Sequence, residues 1–369
     1  PNTMWLENML SDSDGGARAA ATRILGDWSD PSDPMASLNR PDAMQWFAER
    51  IVDDHDRTRL EAIRGLAKLG GLDAIKLSFR ALDKKVDRFI NHALFLNVDE
   101  NSDALINDLK KSAWSSAENQ KQLEFVLTNV EPAKATGFLG NYLAGNKINR
   151  NGDGPWIELV AKAGGPKELA VVYQQAISGQ FDSAATAKAF LALQDAKRFR
   201  RLMPALASKP AIDLKPLLVR SGDNVSDPIV QGAVIDLCGA WQLRFLVPTL
   251  AELAADTNLE ETNRVKAIAA LRSCGGEPAT EALTSLATTD ASLAIKTAIV
   301  AALAGTNPEL ATKPFYETLA SVDDEQAALA LWRTLLAAKN GEALLTDSLP
   351  ADGISEVAAR AGVRAAGEG

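Results

Sequence analysis

Two histidines, His55 and His92, two cysteines, Cys238 and Cys274, and scattered carboxylates are the side chains here with the capacity for acid–base, nucleophilic or metal chemistry. His55 stands in the polar turn Asp53-Asp54-His55-Asp56, which places it in solvent. His92 stands in a helical stretch beside Phe89 and Phe95. A metal site on a helix needs a second ligand at i+3 or i+4, or a cysteine close by, and neither is present, so a structural role is expected for it. There is no Gly-x-Ser-x-Gly elbow to present a nucleophilic serine. Gly152-Asp153-Gly154 is not followed by the Gly-Lys-Ser/Thr of a phosphate loop. Asp12, Asp14, Asp53, Asp54 and Asp56 lack the spacing of a calcium loop and are explained as helix caps. Cys238 and Cys274 lie near predicted helix ends in adjacent repeats. Equivalent points on packed helices are roughly 8–10 Å apart, whereas a disulfide needs Cα atoms within about 7 Å, so free and mostly buried thiols are expected. No residue is therefore assigned to catalysis, to a cofactor or to a metal. Two surface features are candidates for partner contact. The basic run Lys197-Arg198-Phe199-Arg200-Arg201 offers Arg198, Arg200 and Arg201 to an acidic partner, against the alternative of a solvated face. Trp28 lies in an insertion at residues 27–40, which either packs on its own repeat or meets a partner.

The totals limit the classes of function. The chain has 369 residues, 46% of them hydrophobic but only 6% aromatic. That length calls for several domains or an open repeat array. The apolar set is rich in Ala and Leu, which favour helix over sheet. The net charge of −9 repels phosphate backbones and disfavours a general nucleic-acid role. No apolar run reaches about 18 residues, so no membrane insertion is expected, and no signal segment opens the chain. A sequence beginning at Pro1 reads as a piece of a longer multidomain product.

The organising stretch is residues 53–97: an acidic turn, an amphipathic helix with Leu60, Ile63 and Leu66 on one face, a stop at Gly70-Gly71, and a second pair of helices at 72–82 and 84–97. Ile75, Phe79 and Leu82 face inward on the first, and Val86, Phe89, Ile90, Ala93 and Leu94 on the second. Before it, residues 2–10 resemble the tail of a helix without its partner. A helix follows through Arg18 and Leu25, then the insertion 27–40, broken by Pro31 and Pro34, and then a helix opened by Pro41. From 102 to 222 the rhythm is irregular, with helices centred on Leu109, Phe125, Leu139 and Leu159. Asn149 to Gly154 is a polar turn, Gly164-Gly165-Pro166 a stop and restart, and breaks fall near Gly179, Lys209-Pro210 and Gly222-Asp223. The repeat then sharpens. Asn263 to Leu271 recurs as Ser292 to Leu303 and again near Glu325 to Trp332, at an offset of about 30 residues, a period that belongs to stacked helix pairs. Pro204, Pro248 and Pro314 fall inside apolar helical runs and are expected to kink first helices, while Pro278 and Pro308 open helices. A last amphipathic helix covers 351–366.

Leu10-Ser11-Asp12-Ser13-Asp14 with Arg18, and Asp54-His55-Asp56 with Arg57 and Arg59, resemble HEAT repeats. That family has an aspartate turn before the second helix and an Arg or Lys early in it, able to pair with a turn carboxylate of a neighbouring repeat. Residues 57–97 are similar to the HEAT region of large secreted planctomycete–verrucomicrobial proteins, which join a dehydrogenase-type propeller, a HEAT array and a c-type haem domain. The resemblance implies an all-α fold: one α-α superhelix spanning 1–369, right-handed, of about ten or eleven helix pairs. It also implies a periplasmic or extracytoplasmic location and a non-catalytic scaffold between the other two modules. Its partners would be those flanking domains or another protein. Haem c would belong to the absent neighbour, since no Cys-x-x-Cys-His occurs here, and no cofactor is expected in this segment. The alternatives are a HEAT-like enzyme acting on nucleic-acid bases or a chromophore, and a cytosolic adaptor.

Overall fold

The computed structural model describes residues 3–34, 36–111, 119–219, 227–289, 291–350 and 353–368. Among these the chain is all-α, with twenty-one α-helices and no strand. They follow one another as α1 (Thr3–Leu10), α2 (Gly15–Trp28), α3 (Arg40–Arg50), α4 (Asp56–Leu69), α5 (Leu72–Ser78, continued by a 3-10 turn at Phe79–Asp83), α6 (Arg88–Lys110), α7 (Gln120–Asn129), α8 (Pro132–Gly145), α9 (Trp156–Ala163), α10 (Pro166–Ile177), α11 (Ser183–Arg200), α12 (Pro210–Leu218), α13 (Pro228–Ala240), α14 (Val247–Ala255), α15 (Glu261–Cys274), α16 (Glu277–Ala287), α17 (Leu293–Thr306), α18 (Pro308–Leu319), α19 (Glu325–Leu336), α20 (Gly341–Ser348) and α21 (Glu356–Ala366). The helices form two compact units. Unit 1 holds residues 1–148 and 153–168, and unit 2 holds 149–152 and 169–369.

Within each unit a helix packs on its sequence neighbour and on the helix two places along. In unit 1, α2 packs on α4 and α4 on α6; in unit 2, α11, α13, α15, α17, α19 and α21 pack in series. That is the contact pattern of stacked helix pairs, in which second helices form one layer and first helices another. The two kinds of helix begin differently. An Asp or Ser side chain caps α2 (Asp14), α6 (Asp87), α11 (Asp182), α13 (Asp227), α17 (Ser292), α19 (Asp324) and α21 (Ser355), all second helices. Proline lies in the first turn of the first helices α3, α8, α10, α12, α14, α16 and α18, and of one second helix, α13. The reason is local. A first helix starts within a few residues of the preceding pair's end, and a proline there extends the residue before it and stops that helix, at no cost in hydrogen bonds to its own first turn. A second helix exposes its leading N–H groups at a turn, where a carboxylate or hydroxyl satisfies them.

The middle of the chain owes its irregular rhythm to α6. This single helix of 23 residues takes the place of two. Its first half buries Ile90, Leu94 and Val98, and Asn97 donates to Ser78 Oγ at 3.1 Å. Its second half is tied to first helices: Lys76 of α5 donates to Asp108, and Lys134 of α8 to Ser102, each at 2.8 Å. The separate helix expected around Leu109 is therefore the end of α6. Asn97 to Ser102 looks like a turn in sequence but stays helical, with Asn101 bonding back to the Asn97 carbonyl at 2.9 Å. Counting α6 twice, the described helices make eleven pairs.

Other expectations change in detail. α1 is not partnerless, because it packs on α2. α2 continues through Asp27 to Trp28 before the insertion begins. Phe89 does not face inward; it is 55% exposed on α6. Pro204 lies in a non-helical segment, and Pro248 opens α14 after a 3-10 turn at Arg244–Leu246 instead of kinking it. Pro314 does lie inside α18, and Pro278 and Pro308 do open helices. The break expected at Gly222-Asp223 lies outside the described residues.

Close helix approach depends on small residues. A Cβ added to Gly26 of α2 would lie 3.1 Å from the Gly65 Cα of α4. The stops at Gly70-Gly71 and Gly275-Gly276 share one backbone geometry, with φ of 67° and 82° in the first and 62° and 83° in the second. Only glycine adopts two such residues in succession without strain.

Candidate docking surface

The sequence-selected residues are best described first. Trp28, in unit 1, ends α2 half-buried, and its carbonyl accepts from the Ser37 and Leu38 N–H groups at 2.9 and 3.1 Å. Those bonds fold the insertion back on its own helix. The arginines belong to unit 2 and do not act as one patch. Arg198 is exposed and lies 5.2 Å from the ring centre of Phe199, which is itself 71% exposed. Arg200 is half-buried, and burial pulls its pKa down. Arg201 is the left-handed residue, φ 56°, that closes α11.

The groups with chemical capacity are held structurally. His55 is not solvated but half-buried. Its Nδ1 is 3.3 Å from Thr58 Oγ1, and its ring fills the space a side chain on Gly15 would need. His92 is exposed and stacked on Phe95 at 6.4 Å. Cys238 and Cys274 are free and buried, as expected, and the Cys274 thiol lies 3.8 Å from the Cys238 carbonyl oxygen. Burial, with the neighbouring Cys274, pushes the Cys238 thiol up to about 12, and burial raises Cys274 as well. Thiols so held are poor nucleophiles at neutral pH. Among the described residues no group of three or more His, Cys, Asp or Glu side chains could hold a metal ion.

The aspartate turns form a cross-repeat lock in unit 1. Arg18 of α2 grips Asp53 with Nε and Nη2, both at 2.8 Å, and also reaches the carbonyls of Asp12 and Ser13. Asp53 leads into α4. One repeat on, Arg59 of α4 is 2% exposed and donates to the carbonyls of Asp53 at 2.6 Å and Lys85 at 2.7 Å, and to Asp56 at 2.5 Å. Burial alone would raise the Asp53 pKa. The hydrogen bonds from Arg18 and the His55 N–H, with the charges of Arg18 and Arg50, outweigh it and hold the carboxyl below its usual range. The pairing of an early Arg with a neighbouring turn carboxylate is thus present.

Sequence reasoning missed an open apolar surface, a groove of about 880 Å³ in unit 2 between α12 and the 3-10 turn leading into α14. Ile212 and Phe245 supply it with side chains 67% and 82% exposed. Two devices turn them outward. Gln242, at φ 54°, reverses the chain after α13, so that Leu246 is buried and its neighbour Phe245 points away. On α12, Leu214 and Leu218 take the buried face and leave Ile212 and Val219 opposite. Lys209, Lys215 and Arg244 also line the groove, and among the described residues no carboxylate does. Lys209 Nζ sits 5.8 Å from the Phe245 ring centre, and Arg244 Nε bonds the Cys274 carbonyl at 3.1 Å. Asp213, the one acid of α12, is engaged elsewhere, accepting from Tyr173 Oη at 3.3 Å and from Ser208. The sequence signal was Leu243-Arg244-Phe245-Leu246-Val247-Pro248, an apolar run too dense for every member to face a core.

Other hollows are more balanced in charge. One at α4 and α6 is lined by Arg57, Glu61 and Arg64, with Glu61 between the two arginines at 4.0 and 3.5 Å. Another, at α16–α18, contains Lys313 and Glu317, paired at 3.9 Å.

Comparison with known proteins agrees with this architecture. Residues 3–96 match the family described as HEAT repeats. No curated protein matches the sequence. Among solved structures, Kap121p bound to Pho4p and Kap121p bound to Ste12p each superpose with a TM-score of 0.50 at 13% identity, covering 99% and 100% of this chain. In both cases the chain spans 43% of the length of the protein it matches. Human deoxyhypusine hydroxylase in complex with glycerol is also similar, at 17% identity over 88% of this chain and 95% of its own, but its TM-score of 0.26 bears on neither fold nor activity. The stacked pairs and these superpositions agree on the α-α superhelix fold class, and HEAT-repeat sequence is recognisable over residues 3–96.

Proposed function

We propose that this chain is a non-catalytic scaffold that docks protein, through surfaces its repeats leave open. The observation that carries the reading is the groove between α12 and α14, where Ile212, Val219 and Phe245 are exposed beside Lys209, Lys215 and Arg244. Fully burying a large apolar side chain contributes about 1.5–3 kcal/mol, so Ile212 and Phe245, 67% and 82% exposed, offer a partner a few kcal/mol against the cost of association. The solved neighbour Kap121p, whose fold this chain shares, is seen bound to Pho4p and to Ste12p, which supports a protein-binding use of such a stack. Among the described residues no helix is long and apolar enough to cross a membrane. The enzyme alternative draws no support from the buried thiols or the separated histidines.

The finer proposal follows from the resemblance at residues 57–97. The chain would be the middle module of a secreted product, holding a dehydrogenase-type domain and a c-type haem domain, in the periplasm or another extracytoplasmic space. The reading frame around it tests this directly: a signal segment upstream and a Cys-x-x-Cys-His downstream are expected, and a frame with neither removes this version in favour of a cytoplasmic adaptor. The docking role itself is tested by a photo-crosslinking residue at position 245 of the native product in its own cells, with position 363, where Val363 is 78% exposed, as control. A defined polypeptide or flanking domain joined at 245 but not at 363 is expected. Equal labelling at both, or none at either, overturns the role.

A further inference from the structure

We infer that the groove between α12 and the 3-10 turn before α14 receives a short acidic amphipathic peptide segment, apolar residues inward and Asp or Glu outward. The inference rests on the docking role proposed above and names the chemistry of the partner. The chain carries 48 acidic against 39 basic residues, so a surface whose described charged residues are all cations departs from its average. Lys209, Lys215 and Arg244 line the groove without a carboxylate among its residues. Lys215 pairs with no carboxylate among the described residues, and Lys209 faces a phenyl ring at 5.8 Å. Asp213, the acid of α12, does not line the groove and accepts from Tyr173 and Ser208 instead.

The floor selects against other anions. Ile212, Pro210, Pro216, Val219 and Phe245 give it an apolar face with little to offer a phosphate backbone, whereas an amphipathic helix lays its apolar side into such a groove. α12 has nine residues, about 14 Å of helix, which matches roughly two to three turns of bound peptide. Opposed charges at the rim would set orientation and speed encounter more than they deepen affinity.

The test is fluorescence anisotropy with a labelled twelve-residue peptide of Leu and Phe at helical spacing and Glu elsewhere, set against the same peptide with Lys for Glu, and against a single-stranded oligonucleotide. Micromolar binding of the acidic peptide is expected, at least tenfold weaker for the lysine peptide and for Lys215→Glu. Phe245→Ser should weaken it at least tenfold, with circular dichroism unchanged because the side chain is exposed. Equal binding of both peptides, indifference to Lys215→Glu, or tighter binding of the oligonucleotide overturns the inference. If crosslinking at 245 still joins a defined polypeptide, the docking role survives while the acidic partner is lost; if both fail, the scaffold reading falls too.

Discussion

The two units reach the same arrangement by different means. In unit 1 the repeats are joined at their turns by buried guanidinium groups. Arg18 and Asp53 are 18% and 6% exposed, and Arg59 is 2% exposed. In unit 2 the cross-repeat ion pairs sit further out: Lys266 and Asp236 are 40% and 38% exposed, and Arg364 and Glu325 are 51% and 39% exposed. There the second helices are held chiefly by apolar and small residues, among them Ile235, Cys238, Ile268, Leu271, Ile299 and Leu303, all buried, and a Cβ on Gly239 would lie 3.0 Å from the Ala270 Cα. The contrast shows that the Asp–Arg signature is one way of joining repeats, not a requirement of the architecture. It also accounts for recognisable HEAT sequence over residues 3–96 while the stacking pattern runs on without it.

The largest effect expected from this contrast is at Arg59. Arg59→Ala removes a buried side chain and leaves the carbonyls of Asp53, Asp54 and Lys85 without their donor, and a loss of about 3 kcal/mol is expected in urea denaturation. Next comes Asp53. Its folded-state pKa lies below that of an unfolded aspartate, about 3.9, so the unfolded chain binds the proton more readily. The stabilisation from this group is complete above about pH 5 and declines as pH falls through the folded-state value. Asp53→Asn should lower thermal stability at pH 7 and flatten the acid limb of the stability–pH curve. An unchanged acid limb would remove Asp53 from the account.

A smaller effect separates two buried tryptophans of unit 2, each 7% exposed. The Trp332 indole N–H donates to the Ala358 carbonyl at 2.9 Å, whereas the buried Trp241 N–H has no acceptor among the described residues. Trp332→Phe should therefore cost about 1 kcal/mol more than Trp241→Phe, compared by chemical denaturation; equal costs would contradict the assignment. The smallest effect is at the outer ion pair. Lys266→Ala should change stability by less than about 1 kcal/mol, read as a thermal shift, and a loss approaching that of Arg59→Ala would erase the distinction between the units.

Much of the fold was legible because local chemistry and long-range packing agreed. Gly70-Gly71, Gly164-Gly165-Pro166, Asp14 and the helix-opening prolines each say the same thing in sequence and in space, whereas Asp12, Asp53, Asp54 and Asp56, read as caps, do not cap: α4 opens at His55 with no side-chain cap. α6 was not legible as one helix, since Asn97 to Ser102 carries turn-forming residues and only the ties from Lys76 and Lys134 to its second half show why it continues. Pro248 was misplaced for a related reason: a 3-10 turn occupies the apolar residues ahead of it. The groove was illegible because Ile212 and Phe245 have the residue type and spacing of core positions, and only the left-handed Gln242 and the buried Leu214 and Leu246 reveal which side faces out. The basic run at 197–201 was visible as charge, but its sequence did not show that Arg200 turns inward and Arg201 serves as the helix end.

The central claim is that each helix pair is completed by its neighbours, so that a fault in one repeat stays local. Hydrogen–deuterium exchange on Arg59→Ala, read peptide by peptide against the native protein, tests it most directly. Faster exchange is predicted for residues 40–98 and their immediate neighbours, with α15, α17 and α19 protected as before; loss of protection spread evenly across all the helices would mean a single cooperative core and would contradict it.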